Sequence, residues 1–169
     1  VGGPPADAAR PTTGKLGLRF DRAEYERSAR LRIAEIVPLG PVAITRAAQV
    51  GEYLTVVDGL PVGGRTNLDE RLQHTINRRV ALTLSAAADG AKGREIVVRP
   101  INQATEKNLL YRDWVESNRA YVEKISGGRL GYAHMNDMSA NALRRLYTDL
   151  DADTRVKEGV VIDVRNNNG

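Results

Sequence analysis

Cysteine is absent from the 169 residues. That excludes disulfide frameworks, thiol nucleophiles and thiolate metal sites together, and it leaves the redox compartment open. Histidine is almost as scarce: His74 and His134 stand far apart with no HExxH-like neighbour, so no metal centre and no cofactor is expected. A single Trp and a single Phe limit any aromatic platform for stacking bases. No apolar run approaches the roughly 20 residues of a membrane-spanning helix, and no membrane partner is expected. Blocks of five or six like charges, the mark of a nucleic-acid arm, are missing too. Arginines instead alternate with acids, as in Asp21-Arg22-Ala23-Glu24-Tyr25-Glu26-Arg27, so a net charge of +4 does not point to nucleic acid.

What is present is a globular composition, 41% hydrophobic and 27% charged, at a length that suits one domain or two small ones. The chain starts at Val1 without Met and stops at Gly169 directly after an apolar strand pattern, which reads as a piece of a longer protein. Val1 to Thr13 holds three prolines and two glycines and almost no large apolar residue, so residues 1–13 read as a flexible linker.

Alternating apolar positions predict strands over Lys15 to Phe20 and Leu31 to Val37, the second stopped by Pro38. Pro38-Leu39-Gly40-Pro41 is a turn, and Val42 to Ala48 allows a short helix. Gly51 to Val57 reads as a strand that reverses at Asp58-Gly59 into Leu60-Pro61-Val62. Asn67 suits an N-cap, and Leu68, Leu72, Thr75 and Ile76 recur at helical spacing, predicting an amphipathic helix over Asn67 to Arg79. Val80 to Leu84 and Arg94 to Arg99 form an antiparallel pair around the turn from Ala87 to Gly93.

After Pro100 the pattern changes to a long helical stretch, Asn108 to Ile125, closed by Gly127-Gly128, which places a domain boundary near Asn102 to Lys107. A short strand, Gly131 to Met135, a capped helix, Ser139 to Leu150, and a strand apolar on both faces, Gly159 to Arg165, predict a parallel crossover. Such a strand needs covering layers that the sequence does not supply, so this second unit reads as incomplete.

No internal active site assembles. Ser28, Ser85, Ser117, Ser126 and Ser139 lack a GxSxG elbow or an SxxK pair. His74 reads as a solvated or groove-edge residue of its helix and His134 as a satisfied histidine within an apolar strand. Asp58-Gly59 and Asp89-Gly90 are turns without a calcium loop, and Gly63-Gly64 lacks a Walker lysine.

Gly14-Lys15-Leu16-Gly17-Leu18-Arg19-Phe20 resembles the carboxylate-binding GLGF loop of PDZ domains, where consecutive N–H groups form a nest for a C-terminal carboxylate. The order of elements after it, through Tyr53-Leu54-Thr55-Val56-Val57-Asp58-Gly59-Leu60-Pro61-Val62, is similar to the PDZ signature. The resemblance implies that a peptide adds beside the Leu16 to Phe20 strand. It names Lys15, Leu16, Gly17 and Leu18 as carboxylate-loop residues and Leu68, Leu72, His74, Thr75 and Ile76 as candidates for lining the pocket. A branched side chain at Gly17 is expected to invade the carboxylate path.

Tyr111 to Val122, Gly128 to Met138 and Val161 to Gly169 resemble the start of the catalytic domain in tricorn-type serine peptidases, relatives of the tail-specific proteases. The implied architecture is a PDZ-like partly open β-barrel with one main helix over residues 14–101. The opening of an incomplete, crotonase-related α/β catalytic domain follows over 102–169. That family carries an asparagine followed by glycines that admit oxyanion donors; here Asn168 departs from the glycine run, and Asn167, Asn168 and Gly169 are the flank of such a site at most. The family's nucleophilic serine lies downstream and its general-base histidine upstream, so the chain alone is expected to be inactive. Implied partners are peptide or unfolded polypeptide C-termini and the remainder of the protease chain, with a homo-oligomeric parent. The resemblance favours a cytoplasmic parent over a periplasmic one. A PDZ module that only spaces or assembles subunits, without peptide capture, is the alternative.

Overall fold

A computed structural model describes residues 12–64, 66–154 and 156–167. The chain divides into two compact units, one ending at Leu110 and the other starting at Tyr111.

In the first unit the strands are β1 (Leu18–Phe20), β2 (Leu31–Ile36), β3 (Tyr53–Val57), β4 (Leu60–Pro61), β5 (Val80–Ser85) and β6 (Arg94–Val98). They form one sheet in the order β1-β2-β3-β5-β6, with β4 paired to β3. Period-two alternation explains the burial. Leu31 and Ile33 of β2 turn inward while Arg32 and Ala34 face water, until a register shift opposite Arg19 and Phe20 breaks the alternation and leaves Glu35 exposed as well. Val80, Leu82 and Leu84 of β5 also turn inward, with Val98 and Ile96 opposite Val80 and Leu82. These side chains meet Leu16, Val42, Leu54, Val57 and Leu72 in one core. Leu82 and Leu84 are fully buried, each contributing about 1.5–3 kcal/mol from apolar area alone. The sheet does not close on itself, but the chain ahead of β1 meets the chain beyond β6, where Lys15 and Ile101 exchange N–H···O bonds of 2.8 and 3.0 Å. The expected hairpin stands at Asp58-Gly59, whose φ values of 47° and 76° are those of a tight reversal.

Three local expectations change. The first is a helix, α1 (Arg22–Ser28), in the stretch of alternating charges. Asp21 caps it through Glu24 N–H at 3.0 Å, and the buried Glu24 carboxylate accepts from Ser28 Oγ at 2.7 Å and from Arg27. Its signature was legible as Asp21-x-x-Glu24, a capping-box spacing. The second is the helix expected over Asn67 to Arg79, which is a single turn, α2 (Leu68–Arg71). Asn67 does cap it, accepting from Asp69 N–H at 3.0 Å. It ends early because Gln73 bridges to Thr13, Thr75 Oγ donates to Leu72 O at 2.7 Å, and His74 and Asn77 take φ values of 58° and 61°. The third is the short helix over Val42 to Ala48, which shrinks to a 3-10 turn at Ala43–Thr45 and stops at Arg46 with φ 54°. Of the stretch read as a linker, Thr12 and Thr13 are within the described residues, and both touch the exit of α2: Thr12 O accepts from His74 N–H at 3.0 Å.

A long helix, α3 (Gln103–Ile125), straddles the division. It starts one turn earlier than its periodicity suggests because Asn102 caps it, accepting from Thr105 N–H at 2.8 Å. It ends where Gly127 and Gly128 take positive φ and Gly128 N–H returns to Glu123 O at 2.8 Å. The second unit continues with β7 (Leu130–His134), α4 (Ala140–Thr154) and β8 (Gly159–Asp163). β7 and β8 are parallel, in register from Leu130 opposite Gly159 to His134 opposite Asp163. Gly131, Tyr132 and Ala133 are buried, whereas Val161, Ile162 and Val164 are exposed, so the apolar run of β8 is half covered among the described residues.

Candidate functional site

The first site is the open edge of β1. Among the described residues no strand pairs with β1 on the side away from β2. Val37 N–H donates to Gly17 O at 2.9 Å and Asp21 N–H to Arg32 O at 2.9 Å, which makes Leu18–Ile36 and Phe20–Ile33 the non-hydrogen-bonded pairs of the ladder. The N–H and C=O groups of Leu18 and Phe20 therefore point away from β2, toward the open edge. The amides of Leu16 and Gly17 have no protein acceptor among the described residues, while Leu16 O is held by Val42 N–H at 3.3 Å. Three successive donors, Leu16, Gly17 and Leu18, thus have no partner among the described residues where the chain turns through Gly17 at φ 69°. Consecutive N–H groups around a left-handed residue form an anion-binding concavity.

The loop is held rigidly from behind. Gly14 N–H donates to Leu72 O at 2.7 Å, and Lys15 is tied to Ile101. A Cβ on Gly17 would lie 3.1 Å from Gly40 Cα and 3.3 Å from Pro41 Cδ. Gly17 is therefore needed for contact with the Pro38 to Pro41 turn, a different reason from the ligand clearance expected of it.

In front of the edge lies a cavity of about 510 Å³ lined by Phe20, Asp21, Arg22, Tyr25, Leu31, Thr66, Asn67, Leu68 and Asp69. α1 supplies one wall and the first turn of α2 the other. Of the candidates for lining it, Leu68 does so. Leu72 is buried in the core at 3% exposure, and Thr75 sits against Gly14. His74 and Ile76 line another hollow, of about 730 Å³, with Thr12, Arg78, Asn102 and Lys107. Lys15 and Leu16 bracket the amide loop: Leu16 is core, and the half-buried Lys15 ammonium pairs with Asp69 at 3.2 Å. Phe20, Tyr25 and Leu31 are groove residues that sequence reasoning did not single out; Tyr25 would have followed from recognising α1.

The second site is the turn after β8, in the other unit. Asp163 is buried and accepts from Tyr132 Oη at 2.7 Å and from Arg165 Nε at 2.9 Å. The Arg165 guanidinium holds the Asp163 carboxyl well below the usual carboxylate range. Burial, and then the bond to Asp163, pushes the Tyr132 phenol up to about 12. Arg165 also lies over the Trp114 ring, 5.5 Å from its centroid. His134 is satisfied on both nitrogens, by Tyr111 Oη at 2.7 Å and Arg165 O at 2.8 Å. Asn167 Nδ2 donates to Met135 O at 3.0 Å, and its backbone N–H bonds Val164 O at 3.2 Å. Asn167 thus fastens the turn; Asn168 and Gly169 lie outside the described residues. Among the described residues no group of three or more His, Asp or Glu gathers as for a metal, and no helix is long and apolar enough to cross a membrane.

Residues 39–103 match the family model described as the tricorn protease PDZ domain. Tricorn protease homolog 1 of Streptomyces coelicolor is 39% identical over 123 residues, which is 73% of this chain and 11% of that protein. The tricorn protease homolog of Saccharolobus solfataricus is 35% identical over 71% of this chain and 10% of its own length. The crystal structure of the tricorn protease shares the fold at a TM-score of 0.72 and 23% identity, over 94% of this chain and 15% of that one. The chain spans about a tenth of the length of the curated relatives it matches. Residues 39–103 thus carry the tricorn protease PDZ match, and the chain, an open PDZ-like sheet followed in sequence by a parallel strand pair, is similar to a PDZ domain and the opening of the protease region in the tricorn proteases.

Proposed function

We propose that this chain is the peptide-holding module and the first part of the catalytic domain of a serine-type tricorn-like peptidase, and that its PDZ groove captures peptide C-termini. The observation that carries the reading is the run of amides at Leu16, Gly17 and Leu18 that meet no acceptor among the described residues, beside the open edge of β1. A peptide strand laid antiparallel to β1 would place its carboxylate on those amides and bond its main chain to Leu18 and Phe20. The PDZ part covers 14–101 and the catalytic part starts at 102. The nucleophile belongs to the parent chain, so this chain alone binds without cleaving.

Titration with labelled peptides of one sequence, carrying either a free or an amidated C-terminus, tests the reading. The free acid is expected to bind at least tenfold tighter, as charge-assisted bonds to amides require. Equal affinities would contradict it, and so would serine-reagent-sensitive hydrolysis by this chain alone.

A second reading, a spacer without peptide capture, draws on the Lys15–Asp69 pair, which links the amide loop to α2 across the mouth of the groove. In that case neither peptide binds.

A further inference from the structure

Resting on the reading of the turn after β8 as the flank of an oxyanion site, we propose that His134 is a positioning residue. Locked as the Nε2–H tautomer, it fixes the backbone at Arg165 and with it the path of the chain into that site.

A carbonyl oxygen only accepts, so the 2.8 Å contact between His134 Nε2 and Arg165 O requires the proton on Nε2. With the tautomeric proton on Nε2, Nδ1 is the acceptor for Tyr111 Oη at 2.7 Å. Burial pushes the Tyr111 phenol up, which keeps it a donor. Trp114 meets the imidazole edge-on at 4.8 Å and 87°, which fixes the ring plane. One face of α3 thus sets both the tautomer and the orientation of a side chain on β7, and that side chain grips the peptide unit between Arg165 and Asn166. The grip is reinforced from two sides: Asp163 and Trp114 hold the Arg165 guanidinium, and Asn167 Nδ2 holds Met135 O. Asn166, between them, takes φ 59°, so the chain reverses sharply where it is clasped. A turn held this way keeps the backbone from Arg165 to Asn167 in one geometry, and displacement of about 1 Å in such a positioning element costs on the order of a hundredfold in rate.

The test uses the parent protease carrying His134→Leu, His134→Gln or Tyr111→Phe, together with the tautomer of His134 read by ring-nitrogen NMR in this chain. The Leu variant loses the donor and is expected to lower kcat by about tenfold to a hundredfold, with KM changed less than about twofold. The Gln variant keeps an N–H for Arg165 O and is expected to recover kcat to within about threefold of the parent. Tyr111→Phe is expected to mix the Nδ1–H tautomer into a ring that is otherwise Nε2–H. A protonated Nδ1 in the unaltered chain, an unchanged kcat in the Leu variant, or equal losses in Leu and Gln would each overturn the proposal. An unaltered parent without serine-reagent-sensitive hydrolysis would instead overturn the peptidase reading, and with it the role of His134 in turnover. An active parent whose Leu variant is unaffected refutes the His134 role alone.

Discussion

Gly17 and Gly40 touch backbone to backbone: a Cβ on the first would sit 3.1 Å from the Cα of the second. This contact seats the amide loop on the Pro38 to Pro41 turn. Gly17→Val therefore meets two penalties, a branched residue at φ 69° and a collision with that turn. The variant is expected to lose about 2–4 kcal/mol of stability in the first unit, with capture lost because the loop moves. Denaturant unfolding alongside peptide titration checks this. A variant of unchanged stability that fails to bind would restore the simpler idea of a blocked carboxylate path.

The Lys15–Asp69 pair is exposed on the Asp69 side and is worth at most about 1 kcal/mol. Asp69→Asn releases the ammonium beside the amide loop, so binding of a free-acid peptide is expected to tighten by up to about fivefold, and Lys15→Met to weaken it by a similar factor. Both differences should shrink in high salt. Titrations at two ionic strengths measure them.

The Asp163–Arg165–Tyr132 cluster gives the second unit a pH signature. A carboxyl depressed in the folded state adds stability above its unfolded value near 4 and loses it as pH falls. Asp163→Asn is thus expected to be less stable than the unaltered chain at neutral pH, with the gap closing below about pH 4. The Tyr132 phenol is raised to about 12, so its contribution is present below about 10 and disappears as pH climbs through 12. Trp114, the chain's single tryptophan, lies against Arg165 and reports both limbs by fluorescence.

Leu82 has no exposed surface and faces Ile96 across the β5–β6 ladder. Leu82→Ala is expected to cost about 2–5 kcal/mol, as removal of buried methyl groups from a core that relaxes only in part. Thermal unfolding followed by circular dichroism provides the measurement.

Where one physical rule acts locally, the sequence was readable. Alternation at Leu31 to Ile36 gave a strand, Asp58-Gly59 gave the reversal, and Asn67 gave the cap. The reading failed where distant groups decide. Nothing between Leu72 and Asn77 announces that Thr12 and Thr13 will engage His74 and Gln73, yet those contacts stop α2 after one turn and send His74 and Ile76 to a different hollow from Leu68. In α1 the signal was present but masked: Asp21 and Glu24 looked like members of a charge alternation, and Tyr25 was passed over as a groove wall. The satisfied state of His134 was legible from its apolar strand, but its hold on Arg165 O needed the register of β7 with β8.

Backbone ¹⁵N resonances of Leu16, Gly17 and Leu18, recorded while a free-acid peptide is added, test the central claim most directly. All three are expected to move downfield together, as amides that gain an anionic acceptor do, and to stay in place with the amidated peptide. Shifts that leave those three amides untouched, or that are the same with both peptides, would contradict the assignment of this loop as a carboxylate site.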